Sequence, residues 1–231
     1  MASYTWARDL TDVPTAVTSG GFGGLIYGDQ RNLKSSYGPD PFIRAHRFVV
    51  SYAYQIPYPG NLSSVPGKIL GNWMLAGVTT AQTGHQLFAV NGNPQNAYGT
   101  ITDRPDYVPG CAVNKSGSTS SRINEYFNTD CFPDAPVIGD DGIATAFGNA
   151  PIGNILGPSQ FVSDMSLSKA IPIKWPTEGT QLSFRADVFN VFNHPVFADP
   201  STDFEPGGAA GTIGGTASNP RVIQLALKFA F

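Results

Sequence analysis

From residue 222 to its end the chain alternates without a break. Ile223, Leu225, Leu227, Phe229 and Phe231 fall on one side of an extended strand, and Val222, Gln224, Ala226, Lys228 and Ala230 fall on the other. The first side is apolar throughout. The second carries an amide and an ammonium among small or medium neighbours, which suits water or a polar lumen better than a protein core. A strand of about 9 to 11 residues with one greasy and one wet side is what a tilted crossing of a hydrocarbon layer requires. The competing reading is an amphipathic edge strand of a soluble β-sandwich.

Composition favours the membrane reading. Only 13% of the residues are charged, against about 25% in an ordinary soluble domain. No apolar run reaches the roughly 18 residues of a transmembrane helix, so any crossing has to be made by strands. The net charge of -3 supplies no basic field for nucleic acid. The opening Met1-Ala2-Ser3-Tyr4-Thr5-Trp6 has neither a charged n-region nor an apolar h-region, so the true start of an exported protein is expected elsewhere.

Five further stretches read as strands. Residues 3–10 form the first, and residues 11–40, rich in Gly, Ser, Asp and Pro, form a long loop. From Ala45 the side chains of Phe48, Val50, Tyr52, Tyr54 and Ile56 oppose those of Arg47, Val49, Ser51, Ala53 and Gln55, until Pro57 ends the run. A breaker-rich turn of about a dozen residues leads to a third strand over residues 69–90. There Gly71, Gly77 and Gly84 suggest a bulge or bend. Residues 161–171 place Asp164, Ser166 and Ser168 against Met165 and Leu167, with Lys169 on the apolar side, where its ammonium is expected to snorkel to a headgroup. Residues 180–192 set Leu182, Phe184, Ala186 and Val188 against Gln181, Ser183, Arg185 and Asp187.

The connections then alternate in length: long (11–40), short (57–68), long (91–160), short (172–179) and long (196–218). Outer-membrane barrels have short periplasmic turns and long outer loops. With the final Phe in the periplasm, every long loop lands outside. Six strands do not close a barrel, because the smallest have about eight, and an open edge in lipid leaves backbone groups unpaired.

Several stretches resemble the TonB-dependent outer-membrane receptors, in particular the Oar-like subgroup. They are Ser3-Tyr4-Thr5-Trp6-Ala7-Arg8, Arg44-Ala45-His46-Arg47-Phe48-Val49-Val50-Ser51-Tyr52, Asp103-Arg104-Pro105-Asp106-Tyr107-Val108-Pro109-Gly110, Phe147-Gly148-Asn149-Ala150, Phe189-Asn190-Val191-Phe192-Asn193-His194-Pro195 and the terminal run from Asn219 to Phe231. The resemblance implies an all-β, antiparallel up-and-down meander of about six transmembrane strands from the C-terminal end of a larger barrel. Residues 1–231 would be a partial barrel domain, with the plug and signal peptide absent. It implies residence in the bacterial outer membrane and uptake of a large or scarce carbohydrate, peptide or metal chelate. The implied partners are outer-membrane lipid, the barrel assembly machinery, and the rest of the barrel and plug, with TonB reached through them. Ile223, Leu225, Leu227, Phe229 and Phe231 would be the assembly signal. An adhesion or secretion-related barrel stays open, as does the soluble binding module.

No Gly-x-Ser-x-Gly elbow, His-Glu-x-x-His helix or phosphate-binding Gly loop is present, so neither an enzyme nor a cofactor is expected. His46, His85 and His194 are far apart, and Asp130, Asp134, Asp140 and Asp141 lack the spacing of a Ca²⁺ loop, so no metal is expected. Arg47, Asp164, Arg185, Asp187, Gln224 and Lys228 are expected in the lumen. The loop residues Gln95, Tyr98, Asp103, Arg104, Tyr107, Tyr126 and Phe127 have two readings. They contact a sugar or peptide, or they pack the long loop onto itself. Cys111 and Cys131 fit no metal spacing. In an oxidising compartment a bond between them would close a loop of about 20 residues, for a gain of about 3 kcal/mol.

Overall fold

Period-two alternation produces a two-faced sheet when each strand folds back beside the one before it, and the chain does this throughout. In the computed structural model, described for residues 1–12, 29, 31–62, 64–91, 103–135, 146–173, 180–205 and 207–231, the strands are β1 (Ala2–Trp6), β2 (His46–Gln55), β3 (Trp73–Gln82), β4 (Gln160–Pro172), β5 (Gln181–Phe189) and β6 (Val222–Ala230). They form a six-stranded antiparallel sheet whose spatial order is the chain order. No second layer covers it among the described residues, which sets aside the β-sandwich.

The register keeps the two faces separate across strands. One row runs Leu225, Ala186, Leu167, Leu75, Tyr54, and the next runs Gln224, Asp187, Ser166, Ala76, Ala53. At the C-terminal strand the apolar rows are open: Leu225 is 67% exposed and Leu227 70%. Among the described residues, no buried apolar side chain belongs to the six strands; Leu87, Phe127, Phe132, Ile155, Val196 and the others all lie in the connections. A surface this greasy is stable only where lipid or more protein replaces water.

Several expectations are corrected. The third strand is shorter than residues 69–90, because residues 65–70 form a helical turn, α1 (Val65–Leu70), with Ser64 accepting from the Gly67 amide and Pro66 in its first turn. Gly77 marks no bulge, since β3 pairs continuously with both neighbours through it. Its missing side chain makes room instead, as a Cβ there would sit 2.5 Å from the Tyr52 hydroxyl. Lys169 does not snorkel outward. It is only 6% exposed, and its ammonium donates to the carbonyls of Ile69 and Gly71 at 2.8 and 2.5 Å.

Because the strands alternate in direction, connections 7–45, 83–159 and 190–221 leave from one end of the sheet, and 56–72 and 173–180 from the other. The long connections fold together into a cap. Phe127, Phe132 and Cys131 pack with Leu87, Ala89, Val113, Ala150 and Ile155, against Phe204 of the third connection. Each fully buried side chain of this size contributes about 1.5–3 kcal/mol, so the cap has a core of its own. No described helix is long and apolar enough to cross a membrane.

Candidate functional site

Two regions can meet a solute: the polar face of the sheet and the cap above it. The polar face lines a concavity of about 680 Å³ bordered by Ser51, Val78, Asp164, Ser166, Arg185 and Asp187. Within it Arg185 Nε donates to Asp187 Oδ1 at 2.8 Å. Asp187 stands opposite both Ser166 and Gln224. Arg47 faces Gln82, whose amide donates to Gln160 at 2.7 Å. Lys228 lies opposite Ser183 on the same face. Asp164 is engaged locally: its carboxylate accepts from the Asn190 backbone N–H at 2.8 Å and stops β5.

That stop explains the run Phe189-Asn190-Val191-Phe192-Asn193-His194-Pro195. Asn190 and Asn193 both adopt positive φ, 50° and 51°, which Asn tolerates better than most residues. Asn190 Nδ2 donates to the carbonyls of His194 and Asn219, and Asn193 Oδ1 accepts from the Arg221 amide. The two asparagines thus fix both the exit from β5 and the entry to β6.

In the cap, two stretches distant in sequence interlock. The Asp103 carboxylate accepts from the amides of Arg104 and Gly148, and Asp106 Oδ1 accepts from the Asn149 amide while Asn149 Oδ1 accepts from Tyr107. The Ala150 amide donates to the Pro105 carbonyl. Arg104 Nη1 donates to the carbonyls of Ala150 and of Ser35 in the first connection. Gly148 is obligatory here, because a Cβ would collide with the Arg104 carbonyl. Burial of Asp103 pushes its carboxyl above the usual range against its backbone hydrogen bonds, and burial lowers the Arg104 guanidinium.

The structure therefore divides the loop residues expected to touch a ligand. Asp103, Arg104 and Phe127 are each 1% exposed and cannot reach a solute from where they stand. Their side chains hold the cap together, which corrects the ligand-contact expectation for these three. Tyr107 and Tyr126 are half-buried: Tyr107 donates to the Cys111 carbonyl, and the Arg122 guanidinium lies 4.7 Å above the Tyr126 ring. Gln95 and Tyr98 lie outside the described residues. Cys111 and Cys131 are joined in a disulfide, with Cα atoms 5.5 Å apart.

The histidines have structural partners. His46 Nδ1 is 2.7 Å from the Tyr4 hydroxyl, and the His194 ring packs edge-on against Phe161. His85 was invisible to motif reasoning, having no neighbouring ligand in sequence. Its Nδ1 meets Asp199 at 2.6 Å and Arg44 at 3.4 Å, tying all three long connections at the sheet's rim. Among the described residues no cluster of His, Cys, Asp and Glu is arranged to hold a metal ion; Asp140 and Asp141 lie outside them.

A sheet greasy on its uncovered side, wet on its concave side and capped at one end is the wall of a transmembrane β-barrel. The chain belongs to the family described as the outer membrane beta barrel domain, whose model matches residues 1–224. No curated protein and no solved structure matches it. Its place is the bacterial outer membrane.

Proposed function

We propose that the chain forms barrel wall and outer loops of a TonB-dependent receptor of the Oar-like subgroup. In this reading it takes up a substrate too large or too scarce for porins, such as a carbohydrate, peptide or metal chelate, and does no covalent chemistry. The observation that carries the reading is the interlock of the two receptor-like stretches, residues 103–107 with residues 148–150, through the Asp103, Asp106 and Asn149 side chains. Two stretches that resemble the receptor family in sequence thus help to build the cap. The polar concavity suits a lumen filled by a plug, as in large transporters. The alternating run from Ile223 to Phe231 suits recognition by the barrel assembly machinery.

Uptake by cells carrying the whole gene tests this. Labelled oligosaccharides, peptides and ferric chelates are supplied with and without a protonophore and in a strain lacking TonB. Energy- and TonB-dependent uptake of one class is expected. Flux insensitive to both treatments would point to a porin-like barrel, and no uptake together with surface attachment would point to an adhesion barrel. The disulfide-closed cap also suits the adhesion role, since a rigid platform preserves a binding surface.

A further inference from the structure

The short connection at the end opposite the cap carries a feature that sheet closure does not require. In residues 62–70, Leu62, Val65, Ile69 and Leu70 are all exposed, Val65 by 71%. Val65 and Ile69 are four apart in α1 and share a side. The segment 56–72 contains no carboxylate and one cation, Lys68, which is also exposed.

Its attachment shows which side of the sheet it sits on. Lys169 and Trp73 are cross-strand neighbours on the apolar face. The Lys169 ammonium binds the carbonyls of Ile69 and Gly71 and lies 5.2 Å over the Trp73 ring. The Trp73 indole N–H also donates to the Ile69 carbonyl at 3.2 Å. Both residues hold the C-terminal end of α1 to the greasy side of the wall. A buried cation in that face is satisfied because the helix supplies the orphan carbonyls of its last turn.

Resting on membership of the outer-membrane barrels and on the long-loops-outside orientation, we infer that α1 is a lipid-binding foot in the periplasmic leaflet. Leu62, Val65, Ile69 and Leu70 lie among acyl chains, and Lys68 lies at the phosphates of phospholipid headgroups. The apolar patch is continuous with the lipid face through Trp73 and Phe184, whose rings pack edge-on at 5.9 Å. The lone cation complements headgroup phosphate, and the amphipathic, carboxylate-free segment has the chemistry of an interfacial anchor.

Site-directed spin labelling tests the foot. Cys111 and Cys131 are bonded to each other, so within residues 1–231 an added cysteine is the one free thiol. The full protein carrying Ile69→Cys, Leu225→Cys or Gln224→Cys is reconstituted into phosphatidylethanolamine and phosphatidylglycerol vesicles. Collisions of the nitroxide with oxygen and with a water-soluble nickel chelate are then compared. The oxygen-to-nickel ratio at position 69 is expected to resemble that at position 225 and to exceed that at position 224 several-fold. A ratio at 69 matching bulk water, with 225 in lipid, overturns the foot and leaves the barrel standing. A watery ratio at 225 overturns the barrel reading itself. Should Ile69→Cys fail to insert, Val65→Cys on the same side of α1 gives the same readout.

Discussion

The six-stranded sheet and the cap use apolar side chains in opposite ways. In the sheet Leu225, Leu227 and Phe229 project from a single layer with nothing over them, and order comes from backbone pairing between neighbouring strands. In the cap Phe127, Phe132 and Ile155 are enclosed, and polar side chains such as Asp103 and Asn149 tie the chain where no ladder is available. The cap obeys the rules of a protein in water. The sheet obeys those of a protein whose solvent is lipid, where the driving force for burying apolar groups inside the protein vanishes and unpaired backbone is the dominant cost. One chain therefore has two stability regimes meeting at the rim, where His85, Asp199 and Arg44 join the connections.

If the cap is a small water-type fold, breaking its central polar tie should loosen it and leave the wall intact. Arg104→Ala strands the carbonyls of Ser35 and Ala150, both of which its Nη1 meets. The expected cost is about 1–3 kcal/mol for each carbonyl left unsatisfied, confined to the cap. Hydrogen exchange followed by peptide resolves the two regions, and loss of protection in the strands as well would mean that cap and wall are one cooperative unit. Next in size is the disulfide. Replacing Cys111 and Cys131 by Ser opens a link across 20 residues of sequence, with an expected loss of about 3 kcal/mol. It should appear as faster proteolysis of the long connections with strand content unchanged by circular dichroism.

The wall is probed from its greasy side. Leu225 sits in β6, three residues beyond the start of the nine-residue strand. Leu225→Arg is expected to cost about 2 kcal/mol in bilayer unfolding, since charged residues on the lipid face cost about 2–4 kcal/mol at the midplane and less towards the interface. Gln224→Arg, one residue away on the wet face, is expected to change little. Equal effects at the two positions would mean that the faces are not in different solvents.

Much of the wall was legible because its signal is periodic. Strand alternation places Leu182, Phe184, Ala186 and Val188 on one face whatever lies beyond them, and the cross-strand register keeps them there. The cap was opaque for the complementary reason. Leu87, Phe127 and Ile155 meet in space but share no spacing in sequence, so residues 91–160 read as featureless. The recurrence of family-like stretches there was a signal without a mechanism until Asp103 met Gly148 and Asp106 met Asn149. α1 was missed because Pro66 and Gly67 read as turn punctuation, although Ser64 followed by a proline two residues on is also how a helix begins. Lys169 misled because snorkelling assumes that water is the nearest acceptor, whereas the carbonyls of Ile69 and Gly71 were closer.

The smallest expected effect concerns pH, and it also separates the two regimes. Burial holds the Asp103 carboxyl above its ordinary value, so the folded cap binds this proton more tightly than the unfolded chain does. A group of this kind contributes its stabilisation fully below the unfolded carboxylate pKa and loses it as pH rises through the folded value. With respect to Asp103, then, mild acid favours the cap, opposite to the usual behaviour of a salt-bridged carboxylate. Asp103→Asn removes the titration and keeps an oxygen that can accept from the Arg104 amide, at the loss of the second acceptor that met the Gly148 amide. Cap unfolding monitored from the ordinary carboxylate range up to neutral pH is expected to show a downward slope in the parent that is flatter in the variant. Strand unfolding should have the same pH dependence in both proteins. A parent cap that gains stability over that window through Asp103 would reverse the sign and show that hydrogen bonds to the carboxylate outweigh its burial.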